Sequence, residues 1–302
     1  MSVLFNISSK IILEGDSTED LNYVFNDLNT DVVAAYGFRR LSPDYYGALI
    51  RVRNKNPNGD DTEKDFYPNA DGKIDIDELM SYLGDSQGFL VNFYNQAVNA
   101  KTYDNPENND GNSYAPNALQ PRIVVNKILN RTNGLISAPL SQGNAVDYLK
   151  VDSGSINQIT GNMFAYFVGA HDGTSGNKTM FSKNGEYEFI YTNPTTVQYS
   201  DSNNSVNLNV SASSDLRIHS FNRNTDNNTI DLQVNNTTPN PASQSIPNAI
   251  TSANDSLYIG ASASSNDYFL GDFQELVIFN SYKDATDKAD ILNKVKKYYN
   301  AY

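Results

Sequence analysis

Imidazoles and thiols, the side chains best suited to move protons or hold transition metals near neutral pH, are few in this 302-residue chain, which has two histidines and no cysteine. His171 opens the triplet His171-Asp172-Gly173 after an apolar run. An imidazole there could act as a base or a metal ligand, but the triplet reads first as a turn, because Asp and Gly are turn formers. His219 falls inside the alternating stretch 216–221 and reads as an ordinary strand side chain. The sequence contains no Ser-His-Asp set, glycine-rich phosphate loop or zinc-ligand spacing. Cofactors and metals are therefore not expected.

The acidic stretch 67–78 invites a calcium-loop reading, with Gly72 at the sixth position, Ile74 at the eighth and Glu78 at the twelfth. Its first ligand would be Tyr67, which has no carboxylate, and no amphipathic helix precedes it. The same residues read better as a strand, an Asp71-Gly72 turn and a helix capped by Asp75. That helix would bury Leu79, Met80 and Leu83 and end at Gly84.

The elements that must position any site are predominantly strands. Short apolar stretches recur at 123–125, 148–151, 163–168, 179–183, 187–191, 206–210, 216–221, 230–234, 257–261 and 273–279, separated by Asn, Asp, Gly and Ser. This spacing predicts an all-β antiparallel sandwich. In 47–53, Ala48, Ile50 and Val52 should face inward, with Leu49, Arg51 and Arg53 on the other face. Residues 235–248 read as a long loop. A helix is expected over 17–28 with Leu21, Val24, Phe25 and Leu28 on one face, and another over 284–299 with a stripe of Ile291, Leu292, Val295, Tyr298 and Tyr299.

With 39% apolar residues, 20 tyrosines and 14 phenylalanines, the chain can bury a large core. Its net charge of −13 argues against nucleic acid and anionic membrane surfaces as partners. No apolar run approaches the length of a membrane span, and residues 1–15 lack the basic start of a signal peptide. Synthesis in a cytoplasm is expected.

A resemblance is carried by residues 34–41 (AAYGFRRL), 47–53 (GALIRVR), 88–96 (GFLVNFYNQ), 120–124 (QPRIV), Asn133-Gly134 and 273–279 (FQELVIF), in that order. It is similar to the catalytic domain of α-L-arabinofuranosidase B, a concanavalin A-like (LamG-like) jelly roll, and to modules of tailed-phage virion proteins. The resemblance covers 32–302, so the expected organisation is a jelly-roll domain over 32–302 preceded by an N-terminal arm and short helix over 1–31. The arm either packs on the sandwich or docks on a neighbouring subunit.

The resemblance also implies where catalysis would reside. The family's acid/base Asp sits in a Gly-Gly-Asp-Asn turn, but the matching turn here runs from Gly260 to Asn266 with no carboxylate before Asp267. Its nucleophile lies in an Asp-x-Glu-Asn strand, where 189–193 offers Thr192, with Glu186 and Glu188 nearby. The vicinal cysteine pair is absent, and the Asp-Gln-Ser-Gly-Asn-Gly motif has become Asn95-Gln96-Ala97-Val98-Asn99-Ala100. The expectation is a retained fold without catalytic residues: a non-catalytic phage virion structural protein, such as a head fibre, spike or tail-associated protein. The alternatives are an arabinofuranosidase-like glycoside hydrolase with displaced carboxylates or a free lectin-like carbohydrate-binding protein. The virion protein would bind other virion proteins, form a homo-oligomer through its arm and contact a host-surface glycan. The expected glycan-binding residues are Tyr191, Asn193, His171, Asp172, Asn266, Asp267 and Tyr268.

Overall fold

A computed structural model describes residues 23–25, 31–55, 61–97, 113–114, 120–141, 147–151, 161–183, 186–201, 205–237, 240–243, 256–262 and 267–301. In chain order the first elements are β1 (Val32–Gly37), β2 (Ile50–Lys55), β3 (Thr62–Phe66), α1 (Ile76–Leu83) and β4 (Gln87–Phe93). Short strands follow: β5 (Ser113–Tyr114), β6 (Arg122–Val125), β7 (Ile128–Leu129), β8 (Arg131–Thr132), β9 (Leu135–Ile136), β10 (Ala138–Leu140) and β11 (Leu149–Val151). Next come β12 (Met163–His171), β13 (Lys178–Lys183), β14 (Tyr187–Asn193), β15 (Thr196–Asp201), β16 (Ser205–Asn209), β17 (Leu216–Asn224) and β18 (Thr229–Val234). The set is completed by β19 (Asn240–Ser243), β20 (Leu257–Ile259), β21 (Gly271–Phe279) and α2 (Ala285–Tyr299).

These strands form the expected all-β antiparallel sandwich. A seven-stranded sheet runs β1-β21-β12-β17-β18-β19, with β10 also on β21. A twelve-stranded sheet runs β16-β15-β14-β13-β20-β11-β5-β4-β2-β3, with β6 on β4 and β7 on β6. The pair β8-β9 forms a separate hairpin.

Alternation decides what each sheet buries. Phe167 and Phe221 from the smaller sheet meet Phe181, Phe189 and Tyr191 from the larger one in a core between the sheets. The intervening Phe164, Tyr166 and Val168 point the other way, where Ile291, Leu292, Val295 and Tyr299 of α2 cover them. Each such aromatic or aliphatic side chain removed from water contributes about 1.5–3 kcal/mol. Helix α2 starts where Asp284 Oδ1 accepts from Thr286 N and Asp287 N. It ends at Asn300, whose left-handed φ of 46° an Asn tolerates.

Several expectations need correction. Leu49 is fully buried, not turned outward, because it precedes the strand proper and its backbone pairs with both Phe66 and Tyr94. Arg51 and Arg53 do lie on the partly exposed face, paired with Asp65 and Asp61. Residues 240–243 are the edge strand β19, not loop. The described part of the predicted N-terminal helix, residues 23–25, is not helical, and Val24 and Phe25 pack into the cluster under α2. The rest of that helix, 17–22 and 26–28, and the arm over 1–14 lie outside the described residues. The stretch 67–78 is a turn and a helix: Asn69 Oδ1 takes the amides of Asp71 and Lys73, and Asp75 Oδ1 takes that of Glu78. Leu79 and Leu83 are buried, whereas Met80 is half-buried.

Candidate functional site

At one end of the sandwich, inward-facing polar residues of the two sheets meet. Strand β12 runs three residues past the predicted boundary and ends in His171, which is buried at the strand end and not a turn residue. The extension passes through Gly169 because no side chain fits there: a Cβ would lie 2.5 Å from Phe167 Cε1 and 2.7 Å from the Asp272 carbonyl oxygen. His171 stacks on Tyr191 of the opposite sheet, with ring centroids 4.6 Å apart and planes 25° apart. Phe269 closes the edge of the same imidazole at 6.0 Å.

Strand β17 supplies two more groups. Arg217 Nη1 donates to Tyr191 Oη at 3.4 Å, and its Nη2 donates to the Ser211 carbonyl. His219 Nδ1 lies 3.3 Å from the Phe167 carbonyl and Nε2 lies 2.7 Å from Tyr191 Oη. A carbonyl can only accept, so Nδ1 carries the proton of the neutral ring and the Tyr191 hydroxyl donates to Nε2. Complete burial, reinforced by the Arg217 charge, pushes the His219 pKa down to about 3. The result is a directed relay from Arg217 through Tyr191 and His219 to the backbone of β12.

His171 differs in being incompletely paired. Its Nδ1 accepts from Gly173 N at 2.9 Å, which puts the proton of the neutral ring on Nε2. That buried Nε2 has no hydrogen-bond partner among the described residues, and Asp172 Oδ1 stands 3.7 Å away. Burial lowers its pKa, Asp172 opposes this, and Lys178 and Arg217 add to it. Arg217 also lines a cleft of about 760 Å³, which includes Arg131, Ser213, Asn235 and Asp272. Asp272 is held there by Asn130 Nδ2 at 2.7 Å and Thr132 Oγ1 at 2.8 Å.

Of the seven residues expected from sequence, His171 and Tyr191 come together. Asp172 and Asn193 are engaged in local turns: Asp172 Oδ1 takes the amide and hydroxyl of Thr174, and Asn193 Oδ1 those of Thr195. Asp267 Oδ2 accepts from Asn177 and so links the β12–β13 and β20–β21 turns. Tyr268 points away from the core and stacks near Tyr148, while its neighbour Phe269 points in. Asn266 lies outside the described residues.

The reading from sequence missed Arg217, Arg131 and Asp272 and gave His219 no role. A signal was present for two of them, since alternation from the core residue Phe221 places His219 and Arg217 inward. The motif remnant Asn95-Gln96 is structural: Asn95 bonds Val33 and Ala35, and Gln96 bonds Arg39 and Leu41, fastening β1 to the end of β4.

The neighbouring carboxylates are arranged for other tasks. Glu188 is on the face of β14 opposite Tyr191 and accepts from Thr179 Oγ1 at 2.7 Å. Glu186 precedes the far end of the strand and pairs with Lys183 at 2.9 Å.

Fold and site together define an antiparallel β-sandwich with a polar mouth. No family model and no curated protein matches the chain. Among solved structures it is similar to a GH54 α-L-arabinofuranosidase soaked with a cyclic sulfate inhibitor, at TM-score 0.62 and 14% identity over 88% of this chain and 63% of that one. It is likewise similar to an arabinofuranosidase complexed with arabinofuranosyl-α-1,2-xylobiose, at TM-score 0.61 and 14% identity over 88% and 62%. At this identity the likeness is one of fold, and the chain spans less than two thirds of either enzyme's length.

Proposed function

We propose that the protein is a non-catalytic carbohydrate-binding sandwich borne on a phage particle, with the polar mouth at Arg217 and its cleft as the recognition site. The observation that carries the binding part is the cleft to which Arg217 contributes, joined through Tyr191 to the cluster in which His171 Nε2 has no partner among the described residues. A buried donor without a partner is costly, so the cluster beside the cleft keeps bonding capacity that a bound acceptor could draw on. The cleft's volume suits a small ligand. Its hydroxyl, amide, guanidinium and carboxylate groups balance donors against acceptors, as a neutral polyol requires. The absence of catalysis is supported by Thr192 at the position of the resembling family's nucleophile and by the outward direction of Glu188. The virion role rests on the ordered motifs shared with phage modules.

The decisive experiment offers purified protein 4-nitrophenyl α-L-arabinofuranoside and, separately, soluble arabinoxylan. Binding without release of nitrophenol is expected, and Arg217→Ala should abolish the binding. Turnover well above background would overturn the non-catalytic reading. For assembly, mass spectrometry should find the chain in purified particles, and deleting residues 1–14 should leave a folded monomer that no longer enters them. Aggregation of that truncated chain would show the arm to be core.

A further inference from the structure

On the outer face of the larger sheet three half-buried tyrosines converge. Tyr258 lies between the inward-facing Leu257 and Ile259 of β20, and Tyr148 immediately precedes the inward-facing Leu149 of β11. Tyr268, bridged to Ala261, alternates with the inward-facing Phe269. Their ring centroids are 5.9 Å apart for Tyr148–Tyr258 and 6.4 Å apart for Tyr148–Tyr268, the latter pair only 22° from parallel. Burial pushes the Tyr148 phenol up, and so do the two neighbouring tyrosines, while Lys150 pulls it down.

We infer that Tyr148, Tyr258 and Tyr268 form a second carbohydrate contact, an aromatic platform for the flat face of a neutral glycan chain. The inference rests on the carbohydrate reading of the mouth and adds a separate surface to it. Tyrosine offers a rigid apolar ring with a polar rim, which matches a sugar ring whose C–H face is bordered by hydroxyls. A neutral chain is favoured because the protein's net charge of −13 repels polyanions, and Lys150 is the cation that acts on Tyr148. The platform and the mouth share one turn: Tyr268 serves the first, and Phe269 packs on His171 in the second.

The test is affinity electrophoresis of the whole chain in gels containing arabinoxylan, galactomannan or dextran, with polygalacturonate as an acidic control. The wild-type chain should be retarded in a neutral gel, and Tyr148→Ala and Tyr268→Ala should each weaken retention roughly two- to tenfold. Nitration of the wild-type chain with tetranitromethane, mapped by mass spectrometry, should show these tyrosines protected by the retaining polysaccharide. This second readout decides if a variant misfolds. Retention that Arg217→Ala abolishes and both tyrosine variants preserve, with no protection from nitration, would overturn the platform and leave the mouth standing. Retention only by polygalacturonate would refute the neutral class. No retention in any gel would sink both readings.

Discussion

Two buried polar clusters sit on opposite faces of the seven-stranded sheet, and they differ in how completely they are paired. On the outer face, under α2, Arg39 binds Glu275 through both forks, Nε to Oε2 at 2.7 Å and Nη2 to Oε1 at 3.0 Å. Tyr166 and Tyr299 donate to the same carboxylate at 2.7 and 2.8 Å, and Tyr298 stacks over the guanidinium at 4.0 Å. Burial alone would lower the Arg39 pKa, but the Glu275 carboxylate outweighs it and holds the guanidinium above its ordinary value. On the inner face, the His171–Tyr191–His219–Arg217 cluster leaves one donor unpaired among the described residues and adjoins a cleft through Arg217. A closed network fixes the position of a helix, whereas an open one keeps bonding capacity for something outside the chain.

The comparison can be broken most strongly at the closed cluster. Glu275→Gln should strand the Arg39 charge and cost about 3–5 kcal/mol, read from urea unfolding. Replacing both partners with apolar residues, Arg39→Met with Glu275→Leu, should recover much of that loss. If Glu275→Gln costs under about 1 kcal/mol, the closed cluster is not what anchors α2.

A smaller effect is expected at His219, and it depends on pH. The ring stays neutral in the fold down to about pH 3 but titrates near 6.5 when unfolded. Between those values the unfolded chain takes up a proton that the fold refuses, so stability is greatest above pH 6.5 and falls as pH drops. The slope is about 1.4 kcal/mol per pH unit, hence about 2 kcal/mol between pH 6.5 and 5. His219→Gln should flatten the stability curve in that interval by this amount. An unchanged slope would mean that the relay does not hold His219 neutral.

Much of the fold was legible because alternation is local. The strands around Phe167, Phe189, Phe221 and Leu276 follow from inward and outward residues counted along a few positions. Strands of two or three residues, β7 to β10, carry too short a pattern to read. Strand β15 alternates through Val197 and Tyr199 but is masked by its Thr, Gln, Ser and Asp content. The clusters were far less legible. Arg39 reads as half of a basic pair, and only the fold brings Glu275, 236 positions away, against it. The two arginines resolve differently, since Arg40 instead bonds Tyr23 and lies over the Tyr46 ring. Likewise His171 read as a turn residue because Asp172 and Gly173 are turn formers, whereas Gly169 lets β12 continue as far as His171.

The smallest stability effect, and the one that separates the clusters most directly, is expected for His171→Phe. A phenyl ring keeps the shape that stacks on Tyr191 and discards the unpaired Nε2 donor. Removing an unsatisfied buried polar group recovers part of its desolvation cost. The substitution also removes the acceptor of the Gly173 amide, a partly buried hydrogen bond contributing about 1 kcal/mol. These terms oppose each other, so the net change in unfolding free energy should stay within about 1 kcal/mol. Binding should respond differently, because the ligand proposed for the cleft at Arg217 would draw on the donor that is lost. Arabinoxylan retention should fall severalfold while the unfolding curve barely moves. A loss of stability comparable to that of Glu275→Gln, with retention unchanged, would make the inner cluster as structural as the outer one.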